Sequence, residues 1–347
     1  MSDGSGGGSR AGERVRMRSH LPVLKAHGSQ NDILVIEGRP GDYAADADVP
    51  HLVRQLCDRS GPLGGGDGVY FVDLAPAVPQ AAFFNPDGSF AKLCGNGMRC
   101  VGRLVLDTRE ADRAVVRAGG SDFVVLRAES TPEGVRQTAV EMPKVDFDPA
   151  EPVLALAQPH VDTPVPALHP TLGLTALAVP NDHLVAVVEK FDEAELVATG
   201  LRIVAATDVV PRGANLSFVF ALDDDEIYVQ TYERGAGLTP SCGSGVVASR
   251  AVWSRLGHAD AGERITVRNP GGVATAWLTG DGSAWQATLQ GNASYVYRAD
   301  VDLAAVVSGV VGRVERDTFV DEVEAFAQLR RNNHSVLHAA GVYPSVG

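Results

Sequence analysis

A short unit that occurs twice constrains this chain more than any other feature. In the first half, Asn85 stands nine positions before Cys94, which opens the tetrapeptide Cys-Gly-Asn-Gly. In the second half, Glu233 stands nine positions before Cys242, which opens Cys-Gly-Ser-Gly. A strand-like segment and a polar turn precede each cysteine, and a helix-forming segment follows it. The repetition predicts a duplicated fold whose two halves face each other.

The predicted place of each cysteine at the start of a helix suggests its chemistry. A helix N-terminus is the positive end of the helix dipole and carries backbone N–H groups without partners inside the helix. Such a place lowers the pKa of a thiol from about 8.5 toward neutrality. The glycines allow a ligand to approach the backbone, and the free N–H groups of each Gly-x-Gly turn favour a carboxylate or a phosphate.

Two such units around one amino acid would form an opposed acid/base pair. One thiolate would remove the α-proton while the opposite thiol protonates the other face, which inverts the configuration without a cofactor. The N–H donors on the carboxylate would stabilise the carbanion, and exclusion of water would strengthen them. The other two cysteines, Cys57 and Cys100, lie inside predicted helices, and we expect them to be core residues.

Length and charge exclude several classes of protein. A chain of 347 residues suggests two domains. The net charge of −13, without a basic run, argues against a nucleic-acid partner. No apolar run approaches the roughly 18 residues that span a membrane. Residues 1–19 are rich in Gly, Ser and Arg and lack the apolar segment of a signal peptide, so we expect a disordered leader there.

The cysteines also indicate the compartment. Four cysteines are too few for a disulfide scaffold in a chain this long, and without a secretory signal they predict a reducing compartment, the cytoplasm. The sequence has no Cys-x-x-Cys pair and no Cys/His cluster with the spacing of zinc ligands. We therefore expect neither a metal site nor a cofactor.

Short apolar segments bounded by Gly, Pro and Asp dominate the chain and predict many short strands. Helical patterns are fewer, and we predict helices at Pro50–Asp58, Met98–Asp107, Glu193–Thr199 and Val246–Leu256. This pattern predicts an α+β fold with two pseudo-symmetric domains. The sheets would be mostly antiparallel.

Domain boundaries follow from shifts in composition. We expect an N-terminal domain at residues 20–137, completed by residues 292–300, and a C-terminal domain at residues 138–291. A segment rich in Pro, Ala and Asp at residues 146–170 reads as a linker or inserted loop. Residues 301–347 have helical spacing and are expected to form a helical extension.

From about Val23 to Val296 the chain resembles the diaminopimelate epimerases. The resemblance is carried by His27-Gly28-Ser29-Gln30-Asn31-Asp32, by the Gly-rich turn at residues 64–68 and by the two cysteine units. It implies that Cys94 and Cys242 are the acid/base pair, that no cofactor is needed, and that the protein is a homodimer. It also implies two pseudo-symmetric domains, each a mostly antiparallel sheet wrapped around a central helix, with the active site in the cleft between them. The substrate that it implies is a small-molecule amino acid. The further substrate-binding residues that it implies are Asn31, Asn85, Gly95, Asn96, Asn181, Asn215, Glu233, Arg234, Gly243 and Ser244.

The sequence departs from this family around Asn181. The family usually has Gly-Asn-Pro-His, whereas this chain has Pro180-Asn181-Asp182-His183. Leu238 also occupies a position that is commonly Glu. The first hypothesis is therefore epimerisation of LL-diaminopimelate to the meso form, in lysine and peptidoglycan precursor biosynthesis. The alternatives are a racemase of histidine or a basic amino acid, for which Asp182 would bind the cationic side chain, and a non-catalytic or redox-sensing thiol protein.

Overall fold

The computed structural model describes residues 18–157, 159–280, 284–310 and 312–343. Most of the expected leader, residues 1–17, lies outside the described residues. The described part begins with β1 on the sheet of the first half and ends after a long helix that runs across both halves.

The first half of the chain forms nine strands and two α-helices within the described residues. They are β1 (His20–Gly28), β2 (Asn31–Glu37), α1 (Val49–Cys57), β3 (Gly68–Asp73), β4 (Gln80–Phe84), β5 (Phe90–Ala91), α2 (Gly95–Thr108), β6 (Arg113–Ala118), β7 (Ser121–Ala128), β8 (Gln137–Lys144) and β9 (Thr163–Val165).

The second half repeats this order. It contains β10 (His169–Val179), β11 (Asn181–Val188), α3 (Glu193–Ala205), β12 (Asn215–Asp223), β13 (Glu226–Glu233), β14 (Gly237–Leu238), α4 (Gly243–Arg255), β15 (Ile265–Asn269), β16 (Gly272–Thr279), β17 (Gln286–Asn292) and β18 (Ser294–Asp302). The chain then continues with α5 (Leu303–Ser308), β19 (Asp317–Thr318) and α6 (Val320–Ala339).

Strand pairing is the same in both halves. β1 is antiparallel to β2, β2 parallel to β3, β3 antiparallel to β4, β4 parallel to β6, and β6, β7 and β8 are antiparallel neighbours. The series β10, β11, β12, β13, β15, β16 and β17 follows the identical sequence of directions. The predicted duplication and the predicted fold class, two pseudo-symmetric domains with mostly antiparallel sheets, are confirmed.

The two domains are joined through their sheets. β8 pairs antiparallel with β17, so the sheets of the two domains are continuous. The strand after β8 and the strand after β17 each pair with the first strand of the other half. β9 pairs with β10, and β18 pairs with β1. The sequence did not indicate the pairing of β8 with β17, since hydrogen bonding between distant strands leaves no local pattern in the sequence.

One helix of each domain lies at its centre and the other lies outside. α2 and α4 are buried over most of their length and share one hydrophobic core. α1 and α3 pack on the outer faces of their sheets, each with a smaller core of its own. Both central helices therefore begin at a cysteine inside the protein, where the sheets support them from all sides.

The least accurate predictions concern residues 146–170 and the end of α3, which lie outside the central core. Residues 146–170, read as a linker or loop, contain β9 and contribute buried Val153, Val165 and Leu168 to the core around α3. α3 continues six residues beyond its predicted end to Ala205, where Ile203 is still buried. The boundaries of the domains at 137/138 and 300/301 stay predictions.

Helix α6 crosses from one domain to the other. Near its start, Glu322 forms a bidentate ion pair with Arg103 of α2, at 2.6 and 2.7 Å. Near its end, Leu337 is fully buried in the core around α3. At 20 residues α6 is the longest described helix, and among the described residues no helix is both long and apolar enough to cross a membrane.

Candidate active site

Each of the two cysteines caps the central helix of its domain. Cys94 precedes α2 in an extended conformation, and its Sγ accepts a hydrogen bond from the Gly97 N–H at 3.4 Å. Cys242 precedes α4 in the same conformation, and its Sγ accepts from the Gly245 N–H at the same distance. The sequence placed the cysteines at helix N-termini, and this prediction is confirmed.

The second glycine of each unit serves packing against the sheet. A Cβ added to Gly97 would lie 2.7 Å from the ring of Tyr70, and one added to Gly245 would lie 2.5 Å from the Oγ1 of Thr231. Both distances are too short for a real contact. The sequence interpretation gave these glycines a role in ligand approach, and the structure adds that only glycine lets each helix end sit this close to its strand.

The ends of the two central helices meet at the domain junction. The side-chain amide of Asn96 donates to the carbonyl of Ser241, the residue before Cys242, at 3.0 Å. A Cβ added to Gly243 would lie 3.4 Å from the Oδ1 of Asn96. The positive ends of both helix dipoles therefore converge on one region, which favours an anion placed between them.

The two thiols have different polar neighbours. The Cys94 thiol donates to the Oδ1 of Asn31 at 3.3 Å, and the Sγ of Cys242 lies 3.5 Å from the Oγ of Ser244. Cys242 is buried, whereas Cys94 is half-buried. Asn31, expected to line the site, thus contacts one of the candidate catalytic groups directly.

The pKa values of both thiols are raised, against the expectation from helix position. Burial raises the pKa of Cys94 to about 11, while the Gly97 N–H and the Arg99 charge act in the opposite direction. Burial also raises the pKa of Cys242, and the nearby Glu233 carboxylate raises it further. The loss of hydration outweighs the hydrogen bonds from the N–H groups at the helix start, because the charged thiolate gives up more solvation than these contacts return.

The charge of Glu233 affects the pKa of both thiols. Its carboxylate raises the pKa of Cys94, which belongs to the other domain, as well as that of Cys242. Glu233 ends β13 and accepts a hydrogen bond from the hydroxyl of Thr239. One half-buried carboxylate therefore acts on both candidate catalytic residues across the domain boundary.

The remaining expected polar residues stand at strand ends on the cysteine side of each sheet. Asn215 opens β12, is buried, and accepts a hydrogen bond from the Arg234 N–H at 2.9 Å. Asn181 opens β11, is exposed, and contacts the Nε2 of His183 at 3.3 Å. Asn85 follows β4, and its amide donates to the Oγ of Ser89 at 3.0 Å.

These residues form pairs related by the duplication. Asn31 stands two positions before Ile33, the first residue of β2 that pairs with the parallel strand β3. Asn181 stands two positions before His183, the first residue of β11 that pairs with the parallel strand β12. The nine-residue spacing likewise relates Asn85 to Glu233. The pair Asn85 and Glu233 breaks the symmetry, because one cysteine unit is preceded by a neutral amide and the other by a carboxylate.

Asp182 has a partner that the sequence interpretation missed. Its carboxylate forms an ion pair with Arg212 at 2.7 Å, in the loop between α3 and β12. The equivalent Asp32 of the first domain pairs with Arg59 at 2.7 Å, in the loop between α1 and β3. The repeated Asn-Asp dipeptide, at residues 31–32 and 181–182, was the sequence signal that could have revealed this pair.

Arg212 also touches the other arginine of this region. The guanidinium of Arg234 donates to the Arg212 carbonyl. The charge of Asp182 is therefore balanced by Arg212, and Asp182 does not form its ion pair with Arg234. In the part of the chain that the structure describes, no three His, Cys, Asp or Glu side chains come together as metal ligands would.

Comparison with known proteins gives a consistent result. Residues 23–142 and 175–296 match the family described as diaminopimelate epimerase. The chain is 32% identical to a diaminopimelate epimerase of Clostridium acetobutylicum, over 82% of this chain and 86% of that protein. It is 33% identical to one from Enterococcus faecalis, over 85% of this chain and 93% of that protein.

Solved structures share the fold at low sequence identity. A phenazine biosynthesis protein of the PhzF family from Bacillus anthracis aligns with a TM-score of 0.57 at 14% identity, over 82% of this chain and 99% of that one. A hydroxyproline epimerase from Agrobacterium vitis aligns with a TM-score of 0.56 at 14% identity, over 85% and 96%. Both support the two-domain architecture alone.

Proposed function

The chain belongs to the diaminopimelate epimerase family and is an isomerase, and on that premise we propose that it converts LL-diaminopimelate to meso-diaminopimelate with Cys94 and Cys242 as its two bases. The observation that carries this proposal is the pair of cysteines that cap the central helices, whose starts are joined by the hydrogen bond from Asn96 to the Ser241 carbonyl. The reaction is a step toward lysine and peptidoglycan precursors.

The mechanism uses one thiolate and one thiol. The α-carboxylate binds the backbone N–H groups at the converging helix ends, those of Gly95, Asn96, Gly243 and Ser244. The thiolate takes the α-proton and the opposite thiol gives its own proton to the other face, so the enzyme ends with the two protonation states exchanged. The raised pKa values make each thiolate a stronger base toward the weakly acidic α-proton, and the N–H donors stabilise the carbanion.

The distal pocket supports a substrate with a second amino-acid head. Arg234 is suited to a distal carboxylate, while Glu233 and the Asn85, Asn181 and Asn215 side chains offer oxygens to a distal ammonium group. The pairing of Asp182 with Arg212 supports this assignment over a basic or histidine side chain, because Asp182 does not present a free carboxylate to a cation.

The test is exchange of the substrate α-proton with solvent. We expect the reduced protein in deuterium oxide to incorporate α-deuterium into LL-diaminopimelate, followed by mass spectrometry, and not into histidine or arginine. Cys94→Ala and Cys242→Ala should each lower turnover by at least about a thousandfold, because each removes one of the two proton carriers.

The buried Cys57 provides a matched control. Cys57→Ala should retain turnover, since this thiol belongs to a core residue at the end of α1 and burial raises its pKa to about 12. Exchange with histidine or arginine in place of diaminopimelate would identify the alternative racemase. No exchange with any of the three would leave a non-catalytic or redox-sensing protein.

The family relationship also supports a homodimer in the cytoplasm. A dimer predicts a molar mass in solution of twice the 36.4 kDa of the chain, measured by light scattering after gel filtration. A monomer at micromolar concentration would contradict this part of the proposal without affecting the chemistry.

A further inference from the structure

Arg99, the fifth residue of α2, is a buried cation that forms no ion pair with an acidic side chain among the described residues. Its side chain is 1% exposed. Its three hydrogen bonds within the described residues go to neutral oxygens: the Asn96 Oδ1 at 2.9 Å, the Ser29 Oγ at 3.0 Å and the Asn292 carbonyl at 3.1 Å. A buried charge is normally paired with an opposite charge, because its loss of hydration is costly.

The first of these contacts leads to the opposed cysteine. Arg99 holds the oxygen of the Asn96 side chain, which fixes the direction of its amide nitrogen. That nitrogen donates across the domain boundary to the carbonyl of Ser241, which directly precedes Cys242. Arg99 therefore sets the position of the Cys242 loop through one intermediate residue.

The second contact leads to the other cysteine. Ser29 and Gln30 form the turn between β1 and β2, and both adopt positive φ, 53° and 64°, which is unfavourable for residues other than glycine. Asn31, the next residue, accepts the hydrogen bond of the Cys94 thiol. Two hydrogen bonds hold this turn. Arg99 donates to the Ser29 Oγ, and the Asn292 Oδ1 accepts from the Ser29 N–H at 2.7 Å.

The second domain builds the same unit without such a cation. Five positions after Cys94 stands Arg99, whereas five positions after Cys242 stands Val247, which is fully buried in the common core. A cysteine-capped central helix thus does not itself require an arginine at this position. Arg99 instead makes its contacts at the junction between the domains, through Asn96 and Ser29.

We propose that Arg99 is a positioning residue that holds the Asn31 turn and the Asn96–Ser241 bridge in register, so that both thiols address one α-carbon. The carboxylate of the bound substrate supplies the negative charge that the surroundings of this guanidinium lack. The inference rests on the proposed function, because it requires an anionic substrate between the two helix ends.

The experiment compares Arg99 with a matched arginine. Arg250 of α4 is also fully buried, and it donates to backbone carbonyls and to the hydroxyl of Ser254, on the side of α4 remote from Cys242. The variants are Arg99→Lys, Arg99→Met, Arg250→Lys and Arg250→Met. Each is measured as folded protein, with its folded fraction determined by circular dichroism.

We expect Arg99→Met to lower kcat about a hundredfold and to raise KM, because misplacement of reacting groups by about 1 Å costs this much. Arg99→Lys keeps the charge and loses the planar fork, so KM should recover toward the wild-type value while kcat stays about tenfold low or more. The Arg250 variants should keep kcat and KM within about twofold per folded molecule. Equal losses of kcat at both arginines would overturn the proposal.

A second readout does not need the substrate. The pH midpoint of Cys94 alkylation by iodoacetamide, followed by mass spectrometry, should rise in Arg99→Met and stay unchanged in Arg250→Met, because Arg99, unlike Arg250, lies where its charge favours the Cys94 thiolate. If the wild-type enzyme shows no α-exchange, the proposed function fails while this readout still tests the position of Arg99. An unchanged alkylation midpoint in Arg99→Met overturns the inference even when the enzyme exchanges the substrate α-proton. If Arg99→Met does not fold, the kcat of Arg99→Lys decides alone.

Discussion

The carboxylate of Glu233 affects the pKa of a thiol in each of the two domains. It precedes Cys242 by nine positions and raises the pKa of both cysteines, although Cys94 belongs to the other domain. The equivalent position before Cys94 holds a neutral amide, Asn85. The two thiols are thus related by the duplication, but their electrostatic environments are not equal.

Glu233→Gln should lower the pKa of both thiols. Removal of the carboxylate removes a charge that disfavours each thiolate, so the pH midpoints of alkylation at Cys94 and at Cys242 should both move to lower pH, with the larger shift at Cys242. Residue-specific alkylation followed by mass spectrometry measures both midpoints in one experiment.

The control is Glu226→Gln, at the other end of the same strand, where the carboxylate pairs with Arg268 at 2.7 Å. This variant should leave both midpoints unchanged. A shift at Cys242 alone would show that Glu233 does not face a cleft shared by the two thiols.

At the scale of elements, α6 acts as a strap across both domains. Arg103 of α2 is buried between Glu322 and the ring of Tyr295, with its guanidinium carbon 3.7 Å from the ring centroid. Farther along the helix, the amide of Asn333 donates to the Asn269 carbonyl of β15 at 3.0 Å. Contacts with elements of both domains favour a fixed relation between them.

Breaking the ion pair at the start of α6 should destabilise the protein. Glu322→Ala leaves Arg103 buried without its bidentate partner, and we expect the free energy of unfolding to fall by about 3 kcal/mol. Denaturant unfolding measures this change. Asp321→Ala, at the neighbouring exposed position, should cost less than about 1 kcal/mol, and an equal loss in both variants would show that the pair does not support α6.

Sequence patterns located most of these elements, since period-two and helical apolar spacing survive in short strands and in amphipathic helices. α1 was placed within one residue at both ends. The start of α2 was placed three residues late, because Gly95, Asn96 and Gly97 are poor helix formers that tertiary contacts hold in place. β9 was missed for a different reason, because a strand of three residues is too short to show a periodic pattern.

At the scale of the whole molecule, two buried histidines link stability to pH. Burial lowers the pKa of His27 to about 4 and that of His183 to about 3. His27 lies at the domain junction, where its ring packs against Phe326 of α6 and its Nδ1 faces the amide of Asn292 at 3.1 Å. Protonation would place a charge between these groups.

The free energy of unfolding should therefore decrease on acidification. A folded-state pKa below the unfolded value of about 6.5 gives a contribution that is complete above pH 6.5 and is lost as the pH falls toward 4. For His27 the loss amounts to about 3 kcal/mol. His27→Gln should flatten this part of the pH profile in denaturant unfolding, whereas His20→Gln, at an exposed ring, should not. A profile in His27→Gln as steep as in the wild type would contradict this assignment.

The sequence by itself determined the duplication, the two capped helices and the family, because each rests on residue types at fixed local spacing. The tertiary structure alone decided what the cysteines experience. Burial raises their pKa values despite the N–H donors at the helix starts, Arg212 pairs with Asp182, and the hydrogen bonds of Arg99 among the described residues go to neutral oxygens. These outcomes depend on which groups lie within a few ångströms across the fold, and Coulomb and hydration energies follow that distance rather than separation along the chain.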